Sequence, residues 1–176
     1  MKSNVVRISN NGNGFSNALE ETKKVAQYNG LNERDAMHLT LCTEEILSLA
    51  RSVTGEMEAS FWLENEDKQY LVHMSTKTVM DKEKRNLLLA SATSRKNEAA
   101  KTFLGFIRDA FEQAMAADVS QNDAIPDEIL DDLPNHMIED TEWDHYELSI
   151  LRKVADQVKI GIRGGLVEMT VVKNFA

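Results

Sequence analysis

The amino-acid sequence predicts an α+β protein in which helices cover one face of a mixed, mostly antiparallel sheet of about five strands. Two alternating segments, 56–74 and 158–172, are typical of antiparallel hairpins that join one sheet. Three others, 15–28, 32–54 and 146–157, have apolar residues at helical spacing. Strands and helices come in clusters rather than in strict alternation, which favours this class and a two-layer α/β sandwich.

The N-terminal elements are a short strand and two long helices. Val5–Ile8 has the composition of a strand and precedes the turn-rich Asn10–Gly14. The first helix ends at Asn29-Gly30, a pair typical of a left-handed C-cap, and Asn32 can cap the second helix. The second helix is predicted to bury one apolar stripe, which consists of Leu39, Cys42, Ile46, Leu49 and Val53.

The remaining elements are the two hairpins and further helices. Met57–Leu63 and Tyr70–Met74 alternate apolar and polar residues on either side of a polar turn. Residues 80–92 and 97–117 have a helical pattern. Gly164-Gly165 predicts a two-residue turn between the last two strands, because both glycines can take positive φ.

Length and cysteine usage indicate one domain in a reducing compartment. The 176 residues suffice for a single core, so residues 1–176 are expected to form one domain. A single cysteine, Cys42, excludes an internal disulfide and fits the cytoplasm. No apolar run is long enough for a signal peptide or a membrane span. We therefore expect a cytoplasmic protein that does not contact membranes.

Charge is distributed unevenly along the chain, whose net charge is −9. Residues 109–147, called the acidic block below, hold thirteen of the 29 carboxylates and no lysine or arginine. Both prolines, Pro126 and Pro134, lie there, so residues 118–145 are predicted to form an acidic, lid-like loop insertion. Such a surface repels nucleic acid. It either favours a basic protein partner or serves solubility alone.

The second helix also carries a polar stripe opposite its apolar one. Glu44, Ser48 and Arg51 follow one another at spacings of four and three, beside Met37 and Leu41. A carboxylate one turn before a small polar residue can hold a magnesium-bound nucleotide, because hard cations prefer oxygen ligands. A solvated helix face produces the same pattern, so both interpretations stay open at this point.

The order of elements, together with Leu31–Val53 and Leu148–Lys173, resembles the Bergerat-fold ATPase domain of histidine kinases and anti-sigma-factor serine kinases. The resemblance covers roughly Phe15 to Phe175. It places Glu44 and Ser48 on the motif Glu-x-x-x-Asn, whose glutamate activates the nucleophile and whose asparagine ligates magnesium. Serine is shorter than asparagine, which implies weak metal ligation at Ser48.

The other nucleotide motifs are degenerate under the same resemblance. The adenine-reading motif Asp-x-Gly-x-Gly falls with its aspartate on Ser75 and its first glycine on Lys77. The Gly-x-Gly of the lid aligns with His145 and Glu147, so no backbone cradle for phosphate is implied. A nearby carboxylate of the acidic block would repel a triphosphate by about 1–4 kcal/mol. Binding of ATP and magnesium is therefore expected to be weak or absent.

Three functions are compatible with these observations. The favoured hypothesis is an anti-sigma-factor-like regulatory protein, a homodimer that binds a sigma factor or another regulatory protein and has weak or lost ATP binding. The second is an active, ATP-dependent serine/threonine protein kinase in which Glu44 is catalytic. The third is an unrelated α+β protein whose pattern imitates the fold. Titration with MgATP and MgADP separates the first two.

Overall fold

The structure, a computed structural model, describes residues 1–9, 13–54, 58–100 and 150–176. Residues 150–154 are helical. The named elements are β1 (Val6–Ser9), α1 (Phe15–Tyr28), α2 (Glu33–Thr54), β2 (Glu58–Glu66), β3 (Gln69–Lys77), α3 (Lys82–Ser91), a 3-10 helix (Glu98–Ala100), β4 (Gln157–Arg163) and β5 (Leu166–Asn174).

The five strands form one sheet in the order β1-β2-β3-β5-β4, and all four pairings are antiparallel. The prediction that both hairpins join a single sheet is therefore confirmed. One row of paired residues crosses all five strands and consists of Val6, Phe61, Met74, Met169 and Ile160. Since β5 lies between β3 and β4, the C-terminal hairpin extends the sheet begun by the central one.

The helices cover one face of this sheet, as predicted. Along β2 and β3 buried side chains alternate with half-buried ones, and the buried set belongs to one cluster with the apolar residues of α1 and α2. The predicted stripe of α2 is buried throughout, and Leu151 joins the same cluster. Each fully buried Val, Leu, Ile, Phe or Met side chain of this cluster stabilises the fold by roughly 1.5–3 kcal/mol. The architecture is a two-layer α/β sandwich.

The turn between α1 and α2 has the geometry that its sequence predicts. Gly30 has a φ of 66°, its N–H donates to Gln27 O, and the N–H of Leu31 donates to Ala26 O. These two bonds close α1 with a left-handed cap. The side chain of Asn32 accepts from the Asp35 N–H at 2.9 Å, which caps the start of α2.

Two predicted helices differ from the structure. The segment predicted as helix 146–157 is helical over 150–154 in its described residues, and β4 already begins at Gln157. It ends early because Asp156 accepts the Asn174 N–H at 2.6 Å and the Lys173 ammonium at 3.1 Å, which ties the chain to β5. The segment predicted as helix 97–117 begins with the 3-10 helix, and its remainder lies outside the described residues.

The glycine turn between β4 and β5 forms, but only one glycine needs positive φ. Gly164 has a φ of 51°, whereas Gly165 is not in the left-handed region. Gly165 is required for a different reason, since a Cβ there would lie 2.6 Å from the carbonyl oxygen of Thr78. The Thr78 N–H in turn donates to Gly165 O at 2.8 Å. The turn is therefore held against the segment that follows β3.

Candidate functional site

The polar stripe of α2 faces away from the core, as the sequence predicts. Glu44 and Arg51 are exposed, Ser48 is half-buried, and Met37 is 58% exposed. On the buried side of the helix, the hydroxyls of Thr22 and Thr43 lie 3.0 Å apart and link α1 to α2. Because this pair fixes the rotation of α2, the Glu44–Ser48 edge is held outward in a defined direction.

Ser75 lies on the opposite face of the sheet from α2. It pairs with Ser60 and Glu168 on the half-buried face, whereas Met74 and its alternating neighbours point into the helical layer. Successive side chains of a strand point to opposite faces. The structure therefore does not bring Ser75 together with Glu44 and Ser48.

Thr76 is the residue at the end of β3 that points into the helical layer. It is 2% exposed, and its hydroxyl donates to the Glu58 carbonyl oxygen at 3.1 Å. The alternation through Val72 and Met74, continued by two residues, predicts from the sequence that Thr76 points to this side. Neither Ser75 nor Thr76 supplies a carboxylate that accepts the adenine amino group.

Lys77 ends β3 at an edge of the sheet where two neighbouring grooves open. One groove, of about 680 Å³, is lined by Lys77, Lys84 and Arg163, among others. The second, of about 1180 Å³, shares Lys77 and Leu166 and adds Arg7. Glu58 is the single carboxylate among the described residues that line the two grooves. This edge of the sheet is therefore positively charged, in contrast to the chain as a whole.

The half-buried face of the sheet carries a stacked aromatic pair. The Trp62 and His73 rings stack with centroids 4.9 Å apart, and Lys2 lies 5.0 Å from the Trp62 ring. Glu64 accepts from the Trp62 indole and from Lys2, both at 3.1 Å, and the bond from Lys2 is the main cause of its lowered pKa. Burial lowers the pKa of His73. These groups bond to one another, which suits a structural role.

The remaining predicted site residues, His145 and Glu147, lie outside the described residues together with the acidic block. Within the ranges that the structure describes, no group of three or more His, Cys, Asp or Glu residues is placed to hold a metal ion. No helix among the described residues is long and apolar enough to cross a membrane. The sequence matches no protein-family model and no curated protein.

Proposed function

We propose that this protein is a regulatory, protein-binding module of Bergerat-like fold, anti-sigma-factor-like in its action, in which nucleotide binding is weak or lost. The observation that carries the proposal is the division of the nucleotide-motif positions between two faces of the sheet. Glu44 and Ser48 lie on the helical layer, and Ser75 lies on the other face. One nucleotide cannot contact both sets through a continuous sheet.

The fold assignment is supported by the order of elements and by the sheet. A strand, two helices and a hairpin are followed by α3 and, at the C-terminus, a second hairpin, and both hairpins belong to one antiparallel sheet. This is the arrangement that the resemblance to the Bergerat fold implies. The apolar core is continuous across the sheet and the helices.

Among the described residues, few on the helical layer would hold magnesium. Glu44 and Ser48 are one helical turn apart, so they offer at most a carboxylate and a hydroxyl on one edge. Magnesium requires near-octahedral oxygen ligands, and most would have to come from phosphate and water. At the adenine end, Ser75 has a hydroxyl in place of the motif's carboxylate, and the neighbouring Thr76 on the helical side has a hydroxyl that already donates to Glu58. Both ends of the site therefore favour weak binding.

The second candidate is an active serine/threonine protein kinase with divergent motifs. The observation that favours it is Glu44, which is exposed on a helix whose rotation is fixed and could act on a hydroxyl nucleophile. A kinase also requires a bound triphosphate in a defined orientation. The positions that would orient adenine lack the necessary carboxylate, so the binding function is the better supported one.

Calorimetric titration with MgATP and MgADP tests the nucleotide part of the proposal. We expect no saturable binding up to about millimolar ligand and no phosphotransfer. Glu44→Ala tests whether the helical layer contributes to nucleotide affinity, and Ser75→Ala tests the other face of the sheet. Ser48→Ala is the control matched to Ser75→Ala, because it removes the same hydroxyl group from α2. A micromolar Kd that Glu44→Ala weakens about tenfold would establish the kinase instead. Weakening by Ser75→Ala would contradict the two-face argument.

A sigma factor or another regulatory protein is the proposed partner, and a homodimer the proposed assembly. The acidic block would attract a basic partner surface, an effect that salt screens beyond about 10 Å. Replacing Asp127, Glu128, Asp131 and Asp132 with asparagine or glutamine should slow association with a captured partner and reduce its salt dependence. If the association rate did not change, the acidic block would not contribute to partner binding and would serve solubility alone.

A further inference from the structure

The smaller groove at the edge of the sheet brings together cations from β3, α3 and β4. Lys77 of β3 and Arg163 of β4 both pair with Leu166 of β5, which places them in one row on one face. Since neighbouring strands lie about 4.8 Å apart, the backbones of these two residues are roughly 10 Å apart. Their exposed side chains therefore flank Leu166 from both sides.

Lys84 supplies the third positive charge of this groove. It lies in the first turn of α3, where its ammonium contacts the Val79 carbonyl oxygen at 3.2 Å and an oxygen of Asp81 at 3.7 Å. Among the described residues, no carboxylate lines this groove, although Glu168 stands on the same face one pair further along β5. The groove is thus a local excess of positive charge that a ligand with several negative charges can match.

The groove also offers an apolar surface between its charges. Val79 is 85% exposed, and Leu166 is half-buried beside it. The hydrogen bond from the Thr78 N–H to Gly165 holds the two walls together at 2.8 Å. A pre-formed site loses less entropy when it binds a ligand. An exposed valine flanked by lysine and arginine suits a ligand that combines carboxylates with an apolar side chain.

We propose that this groove binds a short acidic segment of a partner protein. Carboxylates of the segment pair with Lys77, Lys84 and Arg163, and one of its apolar side chains packs on Val79 and Leu166. Lys77 stands where the nucleotide motif has glycine, so the same residue that blocks adenine contributes to this site. None of these groove residues belongs to the acidic block or to the Glu44 edge, and their binding role does not require nucleotide.

Fluorescence anisotropy with a synthetic peptide tests the proposal. The probe has the sequence of residues 123–132, which combines five carboxylates with apolar side chains, and its control has asparagine and glutamine at the acidic positions. We expect saturable binding of the acidic probe alone. The doubly reversed variant Lys77→Glu/Arg163→Glu should bind it about tenfold or more weakly, because two attractive pairs become repulsive. Val79→Ser should weaken the binding that persists at about 0.5 M salt.

The matched control reverses two exposed lysines of α1, Lys23→Glu/Lys24→Glu, and so changes the net charge by the same amount. Equal losses in both double variants would show attraction to overall charge and overturn the proposal. The proposal would also be overturned if the acidic probe did not bind. The same holds if inorganic phosphate displaced the probe at an equal concentration of negative charge. A further arm measures the affinity of the full-length protein whose acidic block has been neutralised. If this variant binds the probe more tightly than wild type does, the chain's own acidic block occupies the groove, and the proposal of a partner protein is refuted.

Discussion

The side chain of Asn97 holds the outer edge of β4, and its removal tests how the sheet is closed at that edge. Asn97 is 8% exposed. Its amide nitrogen donates to Ile162 O at 2.9 Å, and its oxygen accepts from the Ile162 N–H at 2.8 Å and from the Ala99 N–H at 3.1 Å. A single side chain thus satisfies both backbone groups of Ile162, where no further strand among the described residues pairs with β4. Arg163, which lines the smaller groove, is the next residue, so the bonds from Asn97 to Ile162 also hold the backbone of that groove in place.

Asn97→Ala should lower the free energy of unfolding by about 2–4 kcal/mol. The change leaves a buried N–H and a buried C=O without their partner, and each such group costs about 1–3 kcal/mol, partly offset where water enters. The bond to Ala99 is half-exposed and contributes less. Against a total stability of about 5–15 kcal/mol, the loss is large.

Urea denaturation followed by circular dichroism measures this loss as a shift of the midpoint at unchanged m-value. The matched control is Ser94→Ala in the same segment, because Ser94 is exposed and its contacts, at 3.3–3.4 Å, are long. We expect the control to stay within about 0.5 kcal/mol of wild type. A loss below about 1 kcal/mol for Asn97→Ala would refute the argument that this side chain satisfies the edge of β4.

Three other sites allow similar tests: a close backbone approach at Gly165, the buried thiol of Cys42 and the half-buried ring of His73. Gly165→Ala should destabilise the protein by about 1–3 kcal/mol because its Cβ would meet the Thr78 carbonyl oxygen at 2.6 Å, whereas Gly161→Ala, whose nearest contact is 3.7 Å, should cost little in thermal melts. Burial raises the pKa of the Cys42 thiol to about 12, so a disulfide reagent should label it only after unfolding, and rapid native labelling would contradict its burial. Burial lowers the pKa of His73 below 6.5, so its neutral form stabilises the fold above pH 6.5 and this contribution is lost as the pH falls from there through the folded pKa. His73→Gln should flatten that part of the stability–pH curve, and an unchanged slope would show that other groups cause it.

The basic groove and the position of Thr76 have different origins in the sequence. Thr76 continues an alternation through Val72 and Met74, so the sequence alone predicts that its side chain is buried. Lys77, Lys84 and Arg163, in contrast, have no periodic relation. They come together because β5 enters the sheet between β3 and β4, a pairing that no local pattern specifies.

Local chemistry in the sequence determined the class of fold, the hairpins, the buried stripe of α2 and the caps at Gly30 and Asn32. These features depend on residues that are near one another along the chain, where periodicity and backbone preference act directly. The tertiary structure alone decided the features that join distant residues. Asn97 bonds to Ile162, 65 positions away, and Gly165 is required by the Thr78 carbonyl rather than by its own φ. Such contacts depend on strand order and close approach, which arise only when the whole chain packs.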